Sequence, residues 1–145
     1  MFMFMFWRRM TQFGLNCVIS IFQKQAIDLI VSECKNMGYD GVVLGAWSQW
    51  VAYGIIKDPK LRQMALQFVQ ELGSKLRATK AVEGLDRSLQ LVFVIPPPNS
   101  IDNNPDMFTS TDMERLSNKV DGFSLMTYDF SNAYHPPRSW IPLLA

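Results

Sequence analysis

Few side chains in this chain are placed to do chemistry. Tyr128 and Asp129 close the run Phe123-Ser124-Leu125-Met126-Thr127-Tyr128-Asp129, where a phenol and a carboxylate could hold a polar ligand or move a proton. Asp40 precedes a second apolar run, Gly41-Val42-Val43-Leu44-Gly45-Ala46-Trp47. Its alternate positions Val43, Gly45 and Trp47 share one face if the run is a strand and carry no carboxylate, and an indole N–H is too weak an acid for general acid work. The single histidine, His135, lies in Tyr134-His135-Pro136-Pro137 and reads as a surface residue. Cys17 and Cys34 have neither metal-ligand spacing nor a disulfide framework. No Gly-Lys-Ser/Thr or phosphate-cradling glycine turn occurs, and no metal or cofactor is expected.

The elements that must carry these residues follow from hydrophobic spacing. From Gln23, residues Ala26, Ile27, Leu29, Ile30, Val31, Cys34 and Met37 recur at helical intervals, with Gly38 as a left-handed cap. Cys34 falls on the apolar side, where a buried free thiol is expected. Gly41 to Trp47 is then a strand with so few polar residues that both faces should be covered. Asp58-Pro59 supplies an N-cap and a first-turn proline. Leu61, Met64, Ala65, Phe68, Val69, Leu72 and Leu76 form the next stripe, with Lys75, Arg77 and Lys80 near its end. Leu89 to Ile95 is a second strand, stopped by Pro96-Pro97-Pro98. Asn99 to Phe108 reads as an exposed loop, and Thr111-Asp112-Met113-Glu114 as a capping box. Asp121-Gly122 leads into a third strand, Phe123 to Tyr128, and Leu15 to Ile21 offers a possible fourth.

This alternation implies β/α units and a parallel sheet. A closed (β/α)8 barrel takes about 250 residues; with 145 residues the chain is expected to hold about half of one. Unfilled strand edges would favour aggregation or pairing with another chain. Composition is that of a globular domain, 48% hydrophobic and 19% charged. A net charge of +1 offers no attraction for nucleic acid or an anionic membrane. Residues 1–22 form an atypical apolar segment. Its Met1-Phe2-Met3-Phe4-Met5-Phe6-Trp7 precedes Arg8-Arg9, the reverse of a secretory signal's order, and is too short to span a bilayer.

Together these residues resemble family 18 glycoside hydrolases, the chitinase family, across roughly Gln23 to Trp140. Asp40-Gly41 resembles the start of the fourth barrel strand, which in the family carries acids at the positions of Val43 and Gly45 and the proton-donating Glu at that of Trp47. The proline-ended second strand corresponds to the fifth, and Met126-Thr127-Tyr128-Asp129 to the Met-x-Tyr-Asp end of the sixth. A tryptophan at position 47 and the phrase Val120 to Asp129 are similar to a divergent, chitinase domain-containing branch.

The resemblance implies an α/β fold that is a fragment of a (β/α)8 TIM barrel, about three to four units around strands four to six, over residues 23–145. It also implies a reaction in which the substrate's own N-acetyl group is the nucleophile, a mechanism outside the two-carboxylate scheme. The strand-six tyrosine would hold the acetamide. With Val43, Gly45 and Trp47 at the acid positions, the expectation is a pseudoenzyme that binds chitin fragments through Tyr128, Asp129, Trp47 and Met126. Trp47 could equally fill the core, and Trp50 and Tyr53 are expected in a loop on the ligand face. Asp40, at the strand's start, is expected to shape a turn. Two alternatives remain: a weak glycosidase using Asp129, or a truncated product without activity. Relatives are secreted or lysosomal; another protein could be a partner, and no transmembrane segment is expected.

Overall fold

The described helices and strands follow the expected order except for one additional short helix, Trp47–Ala52, after the first strand. The structure, a computed structural model, describes residues 15–81, 86–96 and 107–126. The Met-Phe segment, most of the Asn99–Phe108 loop, Tyr128, Asp129 and His135 lie outside the described residues.

Helix α1 (Leu15–Met37) begins earlier than Gln23 and absorbs Leu15 to Ile21, expected as a possible strand. Val18, Ile19 and Ile21 favour extended backbone locally. No glycine or proline interrupts residues 15–37, however, so the helix runs through them. It ends as the glycine spacing predicts: Gly38 has φ +68°, Tyr39 N–H donates to Cys34 O and Gly38 N–H to Lys35 O. Ile27, Val31 and Cys34 are buried, whereas Leu29 is 71% and Met37 58% exposed, so the buried stripe is narrower than expected. Cys34 is a buried free thiol. Burial, and then the charge of Glu33, raise its pKa.

Strand β1 (Gly41–Leu44) stops three residues short of Trp47, which instead opens helix α2 (Trp47–Ala52). Helix α3 (Pro59–Arg77) starts on Asp58, whose carboxylate accepts N–H bonds from Lys60 and Leu61 at 2.8 and 3.2 Å. It buries Ala65, Leu66, Phe68, Val69, Leu72, Gly73 and Leu76. Gly73 is required by packing, since a Cβ there would stand 2.0 Å from the carbonyl oxygen of Lys119. Strand β2 (Gln90–Ile95) follows, then helix α4 (Ser110–Leu116) and strand β3 (Gly122–Leu125). The capping box lies two residues earlier than the sequence suggested. Thr109 is the N-cap and Asp112 its reciprocal partner, because Asp112 at N3 returns a bond to the Thr109 N–H.

The three strands form a parallel sheet in chain order, β1-β2-β3. Helix α3 packs on β2 and contacts α1 and α4. Register places Val42 and Leu44 beside Leu91 and Phe93, and Phe93 beside Phe123, all within one core with the helices. Alternate residues face the other way. There Val43 is 69% exposed and Val92 and Val94 are half-buried, so among the described residues one face of the sheet packs on the helices and the other is more open. The described part of the chain is thus an α/β fold with four helices and a small parallel sheet.

Candidate functional site

Parallel strands in chain order bring their C-terminal ends to one edge. Gly45-Ala46-Trp47-Ser48 follows β1, Pro96 follows β2 and Met126 follows β3. Met126 N–H bonds to Ile95 O at 3.0 Å, and Ser48 Oγ donates to Met126 Sδ at 4.0 Å, so the turn after β1 touches the end of β3. Met126 therefore lies at this edge, half-buried. Its neighbours Tyr128 and Asp129 fall outside the described residues.

Val43, Gly45 and Trp47 divide between two faces. Val43 is exposed on the open face, and a Cβ on Gly45 would meet Val94 on that face at 3.8 Å, ordinary contact. Trp47 has left it. Ala46 already has helical angles (φ −101°, ψ −18°), which ends the strand's alternation and turns Trp47 toward the helices. Its side chain is fully buried. Phe108 meets it edge-on at 4.9 Å between ring centres, Trp50 and Phe93 stand at 6.4 and 6.5 Å, and the Arg62 guanidinium lies 5.2 Å over the ring. A ring so enclosed offers no face to a saccharide, which corrects the expectation that Trp47 contacts sugar. Each such aromatic pair contributes about 0.5–1.5 kcal/mol beyond area burial.

Trp50 and Tyr53 also differ from expectation, because the segment is helical rather than a loop. Trp50 is buried one helical turn from Trp47, while Tyr53, just after the helix, is 60% exposed. No side chain caps α2; the i, i+3 pair Trp47–Trp50 packed on Phe93 holds it.

Sequence reasoning missed the residues that surround Trp47. Phe108, assigned to an exposed loop, is half-buried against Trp47, Phe93 and Phe123. Arg62 donates to the carbonyl of Met107 at 2.8 Å and to the carboxylate of Asp112. Asp112 is 4% exposed and also accepts from the N–H and hydroxyl of Thr109, at 2.9 and 2.8 Å. Burial by itself would raise the Asp112 pKa. The bonds from Arg62 and Thr109 and the guanidinium charge outweigh it and hold the carboxyl below its ordinary range. A phenylalanine beside Thr-x-x-Asp is a detectable hint of a packed helix start. Nothing in sequence pairs Arg62 with Asp112, fifty positions away.

The opposite edge of the sheet is structural. Asp40 pairs with Arg87, and its backbone oxygen accepts from Gln90 N–H at 3.0 Å. Asp121 pairs with Arg77 at 2.9 Å and accepts the Leu91 N–H at 2.8 Å. Both Asp-Gly steps thus fix the starts of strands, in line with the turn role expected of Asp40.

Among the described residues no group of three or more potential metal ligands occurs, and no helix is long and apolar enough to cross a membrane. No family model matches the chain, and no solved structure matches it.

Proposed function

We propose that this protein is a chitinase-like carbohydrate binder, built as part of a (β/α)8 barrel, that holds N-acetylglucosamine oligosaccharides without hydrolysing them by the family 18 mechanism. The observation that carries this reading is the parallel pairing of β1, β2 and β3 in chain order. Such an arrangement gathers the three motif-bearing strand ends at one edge, the edge where β/α barrels bind ligands. The reading without hydrolysis is supported by the lack of a carboxylate at Val43, Gly45 and Trp47, where the resemblance would place the acids. Because Trp47 is buried, the sugar contacts pass to Tyr128 and Asp129, with Met126 beside them.

Titration calorimetry of the full chain with chitotetraose tests the reading. Saturable binding is expected, weakened roughly tenfold or more by combining Tyr128→Phe with Asp129→Ala, the size of a lost hydrogen bond to a charged group. Absence of binding by the folded wild type, or equal affinity in the double variant, overturns it.

A further inference from the structure

One guanidinium joins three elements beneath the C-terminal edge of the sheet. Arg62 projects from α3, lies over Trp47 of α2, donates to Met107 O in the segment returning from β2, and pairs with Asp112 of α4. Asp112 in turn bonds the Thr109 N–H and hydroxyl, and its own N–H donates to Thr109 Oγ at 3.2 Å. Those bonds set Phe108 against Trp47. The carboxylate's side chain is 6% exposed and the arginine's 19%, so water competes little for either. By contrast the ion pairs at the other edge, Asp40–Arg87 and Asp121–Arg77, are more exposed and lie at the starts of the strands.

We infer that Arg62 and Asp112 form a clasp that fastens the Met107–Met113 segment to Trp47 and α3, and that releasing it opens that segment while the sheet stays folded. Two features make the unit separable. The bonds of Asp112 gather at the start of α4, so neutralising it removes the Arg62 and Thr109 contacts there, while Gln70 Nε2, donating to Arg115 O at 2.8 Å, still ties α3 to the end of α4. The sheet's own pairings, Gly41 to Leu44 on Gln90 to Phe93 and Val92 to Ile95 on Gly122 to Leu125, use none of these atoms. Local opening of this kind has a lower free energy than global unfolding. The clasp does not depend on what the edge binds, so it stands or falls apart from the carbohydrate reading.

Amide hydrogen exchange on the full chain decides it, with Asp112→Asn and Arg62→Lys as variants. The amides of Thr109, Asp112 and Met113 are expected to exchange about 10- to 100-fold faster in Asp112→Asn, as loss of a charge-assisted bond implies. Those of Leu91 and Phe93 should change less than about threefold, and the Trp47 indole resonance should shift. Arg62→Lys, which keeps the charge but loses the planar fork, should fall between. Equal acceleration in both groups, or none in either, overturns the inference. Should Asp112→Asn fail to fold, Arg62→Lys and the wild type carry the same comparison: Thr109 and Asp112 must exchange by an opening of lower free energy than that exposing Phe93.

Discussion

Placing a carboxylic acid at position 47 is expected to damage the fold rather than create an enzyme. Trp47 is fully buried among Trp50, Phe93 and Phe108. Emptying a buried tryptophan site costs about 3–5 kcal/mol. A carboxyl placed there adds about 1–3 kcal/mol unless it finds partners. Arg62 is near, yet its guanidinium is engaged by Asp112 and Met107 O. Trp47→Glu should therefore lose about 4–8 kcal/mol, a large part of the roughly 5–15 kcal/mol that holds an ordinary domain. Gly45→Asp differs, since its Cβ meets nothing closer than Val94 at 3.8 Å and the position is exposed. Its change should stay within about 0.5 kcal/mol. Urea unfolding followed by circular dichroism separates the two. At a slope of about 2 kcal/mol per M, the Trp47→Glu midpoint should drop by about 2–4 M, or the variant should not fold, while Gly45→Asp stays within about 0.3 M. Neither variant should release a chromogenic group from a chitobioside. A Trp47→Glu protein that unfolds near the wild-type midpoint, or that gains hydrolysis, would refute the reasoning.

Three further outcomes follow from the same packing. Gly73→Ala should destabilise although alanine gains about 1 kcal/mol of helix propensity; the 2.0 Å approach to Lys119 O adds an overpacking cost of about 1–3 kcal/mol, and a raised melting temperature would contradict it. Asp58→Ala removes an N-cap with two bonds and should cost about 0.5–2 kcal/mol, read from the shift in urea midpoint, with no change pointing to an end that water satisfies equally well. The folded-state pKa of Asp112 lies below its ordinary value, so its stabilisation is complete above about pH 4 to 5 and is lost as pH falls through the folded value. The stability gap between wild type and Asp112→Asn should hold from pH 7 to about pH 5 and shrink only below about pH 4; shrinkage at higher pH would show another group in control.

Much of this fold is legible because its signals are local. Gly38 ends α1 through a positive φ, and Asp58-Pro59 starts α3 through bonds that reach no further than Leu61. The continuous apolar run Leu91 to Ile95, stopped by Pro96, marks β2. What escaped reading depends on contacts made far along the chain. Leu15 to Ile21 has a strand's composition and becomes helix. Met107 and Phe108 follow an Asn- and Pro-rich stretch and still enter the core, because Arg62 and Trp47 receive them. The strand after Asp40 was read three residues too long, since nothing in Gly45-Ala46-Trp47 announces that Trp47 will pair with Trp50 in a helix. Of the proposed site, only Met126 and the emptied acid positions fall within the described residues, which makes the Tyr128 and Asp129 variants the decisive ones.

The boundary between β1 and α2 also bears on what a carboxyl at position 47 could do. A strand continued through residue 47 would carry Val43, Gly45 and residue 47 on the open face, as alternation requires. The chain instead turns helical at Ala46, leaves Val43 and Gly45 on that face and sends residue 47 into the core. Replacing the indole by a carboxyl therefore does not suffice to return a proton donor to the open face. The first turn of α2 would also have to unwind, breaking the Trp47–Trp50 and Trp47–Phe93 contacts and lifting Arg62 from its place over the ring. At position 47 two features thus oppose proton donation: an indole that is no general acid, and a backbone that turns the position away from the open face.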